Sequence, residues 1–318
     1  MTLCTLLAGL FTVVQLNCEN LFDTRHDEGK DDLEFVEGGP RRWTRNRYWR
    51  KLDNIGKALI ACGETKGGWQ LPDLAALCEV ENDSVVRDLA KRSLLRGAGY
   101  GYITTDSPDS RGIDVALLYS PFSFAPVIHR GIRVEPAKGM KPTRDILYVA
   151  GRIATGDTLH VFVVHAPSRT GGEKATRPFR RRTAETLSAA ADSIWAVSPG
   201  AMVLAVGDFN EYAGEHCLGY LETAGLRDIS AEARGANGAG GTYKYQGVWG
   251  SLDHALASPT LAPLCVESSV ADFPFLTEED RTNKGRKPRR TYHGFRHNGG
   301  TSDHLPLVLR FSFPSPGK

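Results

Sequence analysis

Short apolar runs recur along the chain and predict buried strands. Their length and their content of β-branched residues favour strands over helices. The runs cover residues 11–17, 73–81, 113–120, 159–165, 202–208, 252–258 and 305–313.

Other segments have helical spacing. Apolar residues recur every three or four positions over 48–59 and 179–194, a spacing that places them on one face of a helix. Asp83 is predicted to cap a further helix that extends to about Arg96. The mixture of strands and helices predicts an α/β protein.

The chain has no internal repeat and no long Pro/Ser linker, which favours one domain over residues 11–318. We interpret residues 1–10 as either the remnant of a signal sequence or a disordered N-terminus. Segments without regular patterning are expected to be surface loops with a role, or disordered. They cover residues 23–47, 121–145, 231–248 and 272–301.

Composition limits the class of protein. The 39 Lys and Arg residues nearly balance the 37 Asp and Glu residues, so any basic surface for a partner must be local. The six cysteines are scattered without a C-x-x-C pair, which disfavours a zinc site and a disulfide scaffold. No later apolar run is long enough to cross a bilayer. We therefore expect a soluble monomer, cytoplasmic or, if the apolar N-terminus is a signal remnant, exported.

Polar residues stand at the ends of the predicted strands. In layered α/β proteins ligands gather at strand ends, so these residues are expected to form one site. Any one of them alone is explained as a turn residue or a helix cap, but the whole set is not. The set is Asn17, Glu79, His165, Asp208 with Asn210, Asp253, and Asp303 with His304.

The residue types in this set indicate the chemistry. Glu79, Asp208 and Asp303 are hard oxygen donors without a cysteine among them, which favours Mg²⁺ or Mn²⁺. Two histidines, each with a candidate orienting carboxylate, can move protons or stabilise charge near neutral pH. A hard metal with histidine and arginine indicates hydrolysis of phosphate esters.

The motifs together resemble the endonuclease/exonuclease/phosphatase (deoxyribonuclease I-like) superfamily. The resemblance runs in order through "QLNCENLFD", "ALCEVEN", "RGIDVALLYS", "HAPSR", "GDFNEY", "SLDHALAS" and "SDHLPLVL". It implies a four-layer α/β sandwich in which two mixed β-sheets pack face to face and are flanked by helices. It also implies a metal site in the cleft at one edge of the sheets.

The resemblance assigns a metal side to the site. Asn17 and Glu79 look like metal-binding residues, with Glu79 the principal Mg²⁺ ligand, and Asp303 looks like a second carboxylate on that side. Asp208 and Asn210 look like the pair that orients the attacking water and holds the phosphate.

The resemblance also assigns catalytic and substrate-binding roles. It implies that His304, oriented by Asp253, is a general base or a phosphate stabiliser, and that His165 is the second catalytic histidine. Asp114 is our candidate partner for His165. Arg111 and Arg169 would contact the substrate phosphate through their planar guanidinium groups.

Two positions depart from the family pattern. Val164 stands where many relatives have Asn, and Cys18 stands where they often have an apolar residue. Neither removes a proposed ligand, but they change the hydrogen bonding expected around His165.

The loops favour nucleic acid as the substrate. Residues 41–51 and 281–297 are basic with interleaved aromatics, and Trp43, Trp49 or Tyr292 would be available for stacking on bases. A third basic run, 177–182, is expected at a helix start, where its charge opposes the helix dipole. This favours a phosphate partner, and simple exposure of the run explains it about equally well. Alternatives are a phosphomonoesterase, a phospholipid or inositol-phosphate phosphodiesterase, and an inactive nucleic-acid-binding module.

Overall fold

The structure is a computed structural model that describes residues 10–65 and 67–314. The segment interpreted as a signal remnant or a disordered N-terminus therefore lies outside the described residues except for residue 10. Within the described ranges, no helix has the length and apolar character needed to span a membrane.

Twelve strands form two large sheets. In chain order they are β1 (Phe11–Leu21), β2 (Leu74–Val80), β3 (Gly101–Thr104), β4 (Asp114–Tyr119), β5 (Phe124–Ile132), β6 (Ile146–Ile153), β7 (Thr158–His165), β8 (Met202–Asp208), β9 (Arg227–Asp228), β10 (Asp253–Ala257), β11 (Cys265–Val270) and β12 (Leu307–Phe311). The first sheet has the order β11-β12-β1-β2-β4-β3, and the second has the order β9-β10-β8-β7-β6-β5. Each of the seven predicted runs contains a strand.

Four α-helices and several short elements complete the described chain. The helices are α1 (Arg45–Ala61), α2 (Asp83–Arg92), α3 (Glu173–Val197) and α4 (His216–Thr223). Single 3-10 turns cover Leu33–Phe35, Leu94–Gly97, Ala262–Leu264 and Pro274–Leu276. Short two-stranded hairpins pair Glu64–Thr65 with Gly68–Trp69, Tyr243–Tyr245 with Val248–Gly250, Thr277–Glu279 with Arg286–Pro288, and Tyr292–His293 with Arg296–His297.

Both sheets are mixed. Strand β1 runs parallel to β2, and β7 runs parallel to β8, while the neighbours on either side of each pair run antiparallel. Parallel neighbours place their carboxyl ends at the same edge, and an antiparallel neighbour begins there. This arrangement is what brings the polar ends of the predicted strands together.

The alternation of side chains along the strands creates the layers. Val161 and Val163 of β7 belong to the core cluster that both sheets share, whereas Phe162 and Val164 pack with α3 and α4 on the other face. A strand buried on both faces reads as a continuous apolar run. Helix α1 covers the outer face of the first sheet through residues such as Leu52. The predicted four-layer α/β sandwich of two mixed sheets is confirmed.

Three local predictions need correction. Segment 121–145 is not irregular, because β5 lies within it. This edge strand is mostly exposed and has no apolar run to reveal it. The next strand, β6, was not predicted although it begins "ILYVA". Helix α2 is capped by Asn82 and not Asp83, since the Asn82 side chain accepts a hydrogen bond from the Val85 amide and the helix ends at Arg92.

Candidate active site

Strand register aligns the polar ends of the second sheet. Asp208, the last residue of β8, lies opposite His165 on one side and Asp253 on the other. Asn17 Nδ2, from β1 of the first sheet, donates to Asp208 Oδ2 at 3.0 Å. The two sheets are therefore joined at this edge by a buried hydrogen bond between two predicted site residues.

Gly207 makes the close strand pairing possible. A Cβ added at this position would lie 1.9 Å from the Val164 carbonyl oxygen of β7. Only glycine lets β8 approach β7 this closely just before Asp208. The "GDFN" stretch thus needs its glycine for strand packing.

Glu79 has one carboxylate oxygen that accepts no hydrogen bond from the described residues. Its Oε2 accepts from the Asn20 amide at 2.8 Å, and its Oε1 lies 3.9 Å from His165 Nε2. The side chain is 14% exposed. A carboxylate in this setting needs a cationic partner to offset its desolvation, and Arg111 approaches Oε2 only to 3.6 Å.

Backbone strain is concentrated at this site. Seven non-glycine residues in the described ranges have a positive φ, and four of them are Glu19 (49°), Asn20 (58°), Glu79 (58°) and Asn210 (51°). Such conformations are costly for residues with a side chain and cluster at functional sites. At Asn210, the strained backbone lets its amide donate to Asp208 Oδ1 at 2.9 Å while its side chain donates to the Ala166 carbonyl at 3.0 Å.

His304 and Asp253 form a buried ion pair. His304 Nδ1 donates to Asp253 Oδ2 at 2.7 Å, and Asp253 Oδ1 accepts from Gln15 Nε2 at 2.8 Å. Burial alone would lower the pKa of His304, but the Asp253 carboxylate raises it well above its ordinary value. Burial likewise opposes ionisation of Asp253, and the His304 charge and several hydrogen bonds hold its pKa below the ordinary value. His304 is therefore positively charged at neutral pH.

Three of these buried residues could in principle hold a metal. One ligand atom from each of Asp208, Asp253 and His304 lies within 4.8 Å of the others. Asp253, however, already accepts hydrogen bonds from Gln15, Thr242 and His304. Hydrogen bonding thus accounts for Asp253, and Asp208 likewise accepts from the Asn17 side chain and the Asn210 backbone amide. Glu79, which accepts through Oε2 alone among the described residues, is the carboxylate better suited to a metal. Burial, followed by the charge of Asp253, raises the pKa of Asp208 to about 7.

His165 is buried beside these carboxylates. Its Nε2 is 3.9 Å from both Glu79 Oε1 and Asp208 Oδ2. Burial, followed by the positive charges of Arg144, Arg111 and His304, lowers its pKa well below the ordinary value. His165 is therefore neutral at neutral pH, in contrast to His304.

The expected pairing of His165 with Asp114 is not formed. The Asp114 carboxylate accepts from the Ser107 amide at 3.1 Å and from the Ser107 and Thr105 hydroxyls. His165 Nδ1 is buried and has no hydrogen-bond partner within the described ranges. Asp114 thus begins β4, but its oxygens accept hydrogen bonds from the loop that precedes this strand.

The two predicted arginines differ in their surroundings. Arg111 is 42% exposed, lies near Glu79 and donates to the Asn20 side chain. Arg169 forms a two-point ion pair with Glu215 and lies over the Tyr212 ring, with 4.9 Å from its guanidinium carbon to the ring centre. Arg111 is therefore available at the cleft, while Arg169 is engaged beside Asn210.

Asp303 is paired with a cation of the segment that precedes it. Arg290 donates to Asp303 Oδ2 at 2.8 Å and to Glu19 Oε1 at 3.1 Å. Lys51, whose side chain is only 1% exposed, donates to the Glu19 and Thr301 carbonyls. A chain of charged groups thus connects helix α1 to the segment that carries Asp303.

The sequence did not reveal two residues of the site. Arg144 is buried, forms an ion pair with Asp109 at 3.0 Å and donates to the Ala166 carbonyl at 2.8 Å. Tyr243 packs on His304, with 4.9 Å between ring centres. The only available signal for Arg144 was the apolar run that follows it, and Tyr243 lies in a Gly-rich segment without a pattern.

The basic segments are less open than predicted. Trp43 and Tyr292 are buried, so neither is available to stack on a base. Their partners lie within the protein, since Trp43 Nε1 donates to the Phe22 carbonyl and Tyr292 Oη to the Arg41 carbonyl. The prediction that these two aromatics bind a nucleic acid is wrong, whereas Trp49 is partly buried against the core.

The arginines of the third basic run, 177–182, form ion pairs within the protein. The run lies in α3 after the helix start at Glu173, and all four of its arginines pair with carboxylates of the same protein. Arg177 pairs with Glu173, the buried Arg180 with Glu211, and Arg181 and Arg182 with Glu185. These pairs remove the basis for a phosphate partner at this run.

Fold and site together define a two-sheet sandwich with an acidic and histidine-containing cleft at one sheet edge. The family model described as "Endonuclease/Exonuclease/phosphatase family" matches residues 12–312. The chain belongs to this family. Endonuclease, exonuclease and phosphatase activities have in common the cleavage of a phosphate ester bond. A search of curated proteins found no match.

Solved structures with the same fold are distant in sequence. A mannosyl-6-phosphatase from Bacteroides thetaiotaomicron is 18% identical, with 95% of this chain and 100% of that chain covered and a TM-score of 0.60. Truncated TDP2 from Caenorhabditis elegans is 17% identical, with 96% of this chain and 98% of that chain covered and a TM-score of 0.57. The human Nocturnin catalytic domain is 18% identical, with 96% of this chain and 95% of that chain covered and a TM-score of 0.58.

Proposed function

We propose that the protein hydrolyses phosphodiester bonds of nucleic acids with the help of Mg²⁺ or Mn²⁺. The observation that carries this proposal is that Glu79 Oε1, which accepts no hydrogen bond from the described residues, stands on a strained backbone and faces a cleft that also contains Asp208 and the His304–Asp253 pair. A lone carboxylate is common in a turn, but this combination is costly unless it serves a reaction.

The donor set fits a hard divalent metal. Glu79 and Asp303 offer carboxylate oxygens, Asn17 offers an amide oxygen, and no cysteine thiol competes. These residues would hold the ion, with Glu79 as the principal ligand. When bound, the ion would neutralise charge on the phosphoryl oxygens and stabilise the leaving oxyanion.

Side chains of the protein would supply proton transfer, positioning and charge stabilisation. Asp208, with a pKa raised to about 7, is suited to accept a proton from the attacking water near neutral pH. Asn210 would hold that water or a phosphoryl oxygen. The charged His304 would stabilise negative charge on the phosphate, and neutral His165 would offer Nε2 as a hydrogen-bonding group.

Arginines support a polyanionic substrate. The segments 41–51 and 281–297 pack together, since Arg41 donates to the Gly294 carbonyl and accepts from Tyr292. Exposed arginines without an ion pair in the described chain occur on both segments, at positions 42, 45, 50, 289 and 296. Burial and the cations Arg47, Arg50 and Lys51 also lower the pKa of His297 to about 4. Such a surface would contact a phosphate backbone without base stacking.

A substrate panel tests the proposal. The protein is incubated with Mg²⁺ or Mn²⁺ and supercoiled DNA, single-stranded DNA, RNA, a phosphomonoester, inositol phosphates and sphingomyelin. We expect metal-dependent cleavage of a nucleic acid that Glu79→Gln abolishes and that Glu232→Gln, at a side chain 96% exposed, leaves unchanged. Turnover of only the monoester, inositol phosphates or lipid would assign the substrate to that class. Binding of DNA or RNA without cleavage would make the protein a binding module.

A further inference from the structure

A cavity of about 300 Å³ opens beside the candidate active site. It lies between two hairpins, Tyr243–Tyr245 with Val248–Gly250 and Thr277–Glu279 with Arg286–Pro288. Its walls include Asp303 and Arg290 on the side of the site, and Tyr243, Tyr245, Gln246 and Lys287 farther out. A group esterified to a phosphate at Asp303 and His304 would extend into this space.

The two hairpins form a fixed wall. The first hairpin turns through two consecutive residues with positive φ, Gln246 and Gly247, as a tight type I′ turn does. The second turns through residues 280–285, and the Asp280 amide donates to the Gly285 carbonyl at 2.8 Å across this turn. The tips touch, because a Cβ on Gly247 would lie 2.8 Å from the Asn283 side chain. The cavity is therefore preformed, which lowers the cost of binding a ligand.

A lysine ties the hairpins to each other. Lys244 Nζ donates to the Lys284 and Arg286 carbonyls at 3.0 and 3.1 Å and pairs with Asp280 at 3.1 Å. Its side chain is 4% exposed. Lys244 is thus a structural cation, and Arg290 is paired with Asp303 and Glu19. The lysine left to meet a ligand is Lys287.

The cavity offers an unused set of binding groups. The Tyr245 side chain is 57% exposed, and its hydroxyl accepts only a long contact of 3.4 Å from Gln246. Tyr243 also lines the cavity and packs on the His304 ring, with 4.9 Å between ring centres. The carboxylate nearest to Lys287 Nζ is 3.8 Å away. An open ring face, a phenol donor and an ammonium group therefore converge on one small space.

We infer that this cavity is a subsite for a single nucleoside attached to the reacting phosphate, an inference that rests on the proposed function. Its base would stack on the Tyr245 ring, and Tyr243 and Lys287 would donate hydrogen bonds to sugar and base oxygens. Base–aromatic stacking tolerates any base because every base has a π-face. The size of the cavity, at the small end for ligand pockets, suits one nucleoside and excludes a duplex.

Two matched substrates test the subsite. Thymidine 5′-(p-nitrophenyl) phosphate carries the nucleoside, and methyl p-nitrophenyl phosphate replaces it with a methyl group while keeping the same leaving group. We expect Tyr245→Ala to lower kcat/KM for the thymidine ester about tenfold and to leave the methyl ester unchanged. Tyr245→Phe keeps the ring and is expected to retain most of the activity. Trp69→Ala, at an aromatic residue outside the cavity that is 56% exposed, is the control.

The outcomes separate the subsite from the proposed function. An equal loss on both esters, or no loss on either, would overturn the subsite while leaving the hydrolase intact. Without turnover of any phosphate ester, the proposed function fails, and binding of thymidine measured by saturation-transfer NMR decides the subsite independently. Thymidine binding that Tyr245→Ala weakens and Trp69→Ala does not would support it, whereas absent binding or equal binding in both variants would refute it.

Discussion

Arg180 and Glu211 form a fully buried ion pair that links helix α3 to the loop after Asn210. Arg180 Nε donates to Glu211 Oε1 at 2.6 Å, and both side chains are 0% exposed. Arg180 also donates to the Thr176 hydroxyl at 2.7 Å and to the Glu173 carbonyl at 3.0 Å. The informative perturbation is Glu211→Gln, which removes the negative charge and keeps the shape.

The expected loss follows from the burial. Removing one partner of a buried pair costs about 3 to 5 kcal/mol when the other charge is left uncompensated. In Glu211→Gln the Glu173 carboxylate, 3.6 Å from Arg180, remains as a weaker partner. Because the substituted amide would keep one oxygen as an acceptor for Arg180, we expect about 3 kcal/mol of lost unfolding free energy, at the lower end of that range. Replacement of both Arg180 and Glu211 by Met is expected to cost less than this, since no buried charge remains.

Urea unfolding followed by tryptophan fluorescence measures these losses. The matched control is Glu185→Gln in the same helix, where Glu185 pairs with Arg181 and the side chains are 40% and 42% exposed. We expect the control to change the free energy of unfolding by less than about 0.5 kcal/mol. If Glu211→Gln costs no more than Glu185→Gln, the assignment of Arg180 as an internal structural cation is wrong.

Three further predictions concern stability and are measured in the same unfolding assay. Gly207→Ala is expected to lower the free energy of unfolding by at least about 2 kcal/mol, since its Cβ would strike the Val164 carbonyl. Gly219→Ala, in open space within α4, should instead raise it by about 0.5 to 1 kcal/mol. Equal effects of the two variants would contradict the steric argument. Asn82→Ala removes the cap of α2 and should cost about 1 kcal/mol, and an unchanged stability would exclude that cap. Burial raises the pKa of Glu81 from 4.5 to about 9 against the hydrogen bond from the Asp23 amide, and nearby acidic charges add to the rise. The folded state therefore holds a proton that the unfolded chain releases, and stability falls as the pH rises between these values. Glu81→Gln should therefore become more stable relative to the parent at pH 8 than at pH 5, and a constant difference would refute the shift.

The sequence predicted the strand ends well because their signal is local. Residues such as Glu79 and Asp208 directly follow apolar runs, and parallel pairing then brings such ends to one edge. Helices α1 and α3 followed from apolar spacing for the same reason, whereas α4 was not predicted. The family resemblance supplied the packing of two mixed sheets face to face, which no local pattern contains.

The failures concern pairings across long sequence distances. Arg180 pairs with Glu211 and Lys51 donates to the carbonyl of Thr301, so charges that read as a basic surface are used inside the fold. Trp43 is likewise buried by segments remote in sequence. Exposed edge strands such as β5 carry no apolar run, and their existence depends on the neighbouring strand.

The most direct test of the proposed function is the rate of phosphodiester cleavage by the Asp208→Asn variant as a function of Mg²⁺ concentration. Asn keeps the shape of the side chain but cannot accept a proton from water, so we expect a fall in kcat of about 10² to 10⁴-fold with cleavage still dependent on the metal. The variant should remain folded, as judged by an unfolding transition close to that of the parent protein. Full activity of the folded variant, or parent activity that EDTA does not abolish, would contradict the account.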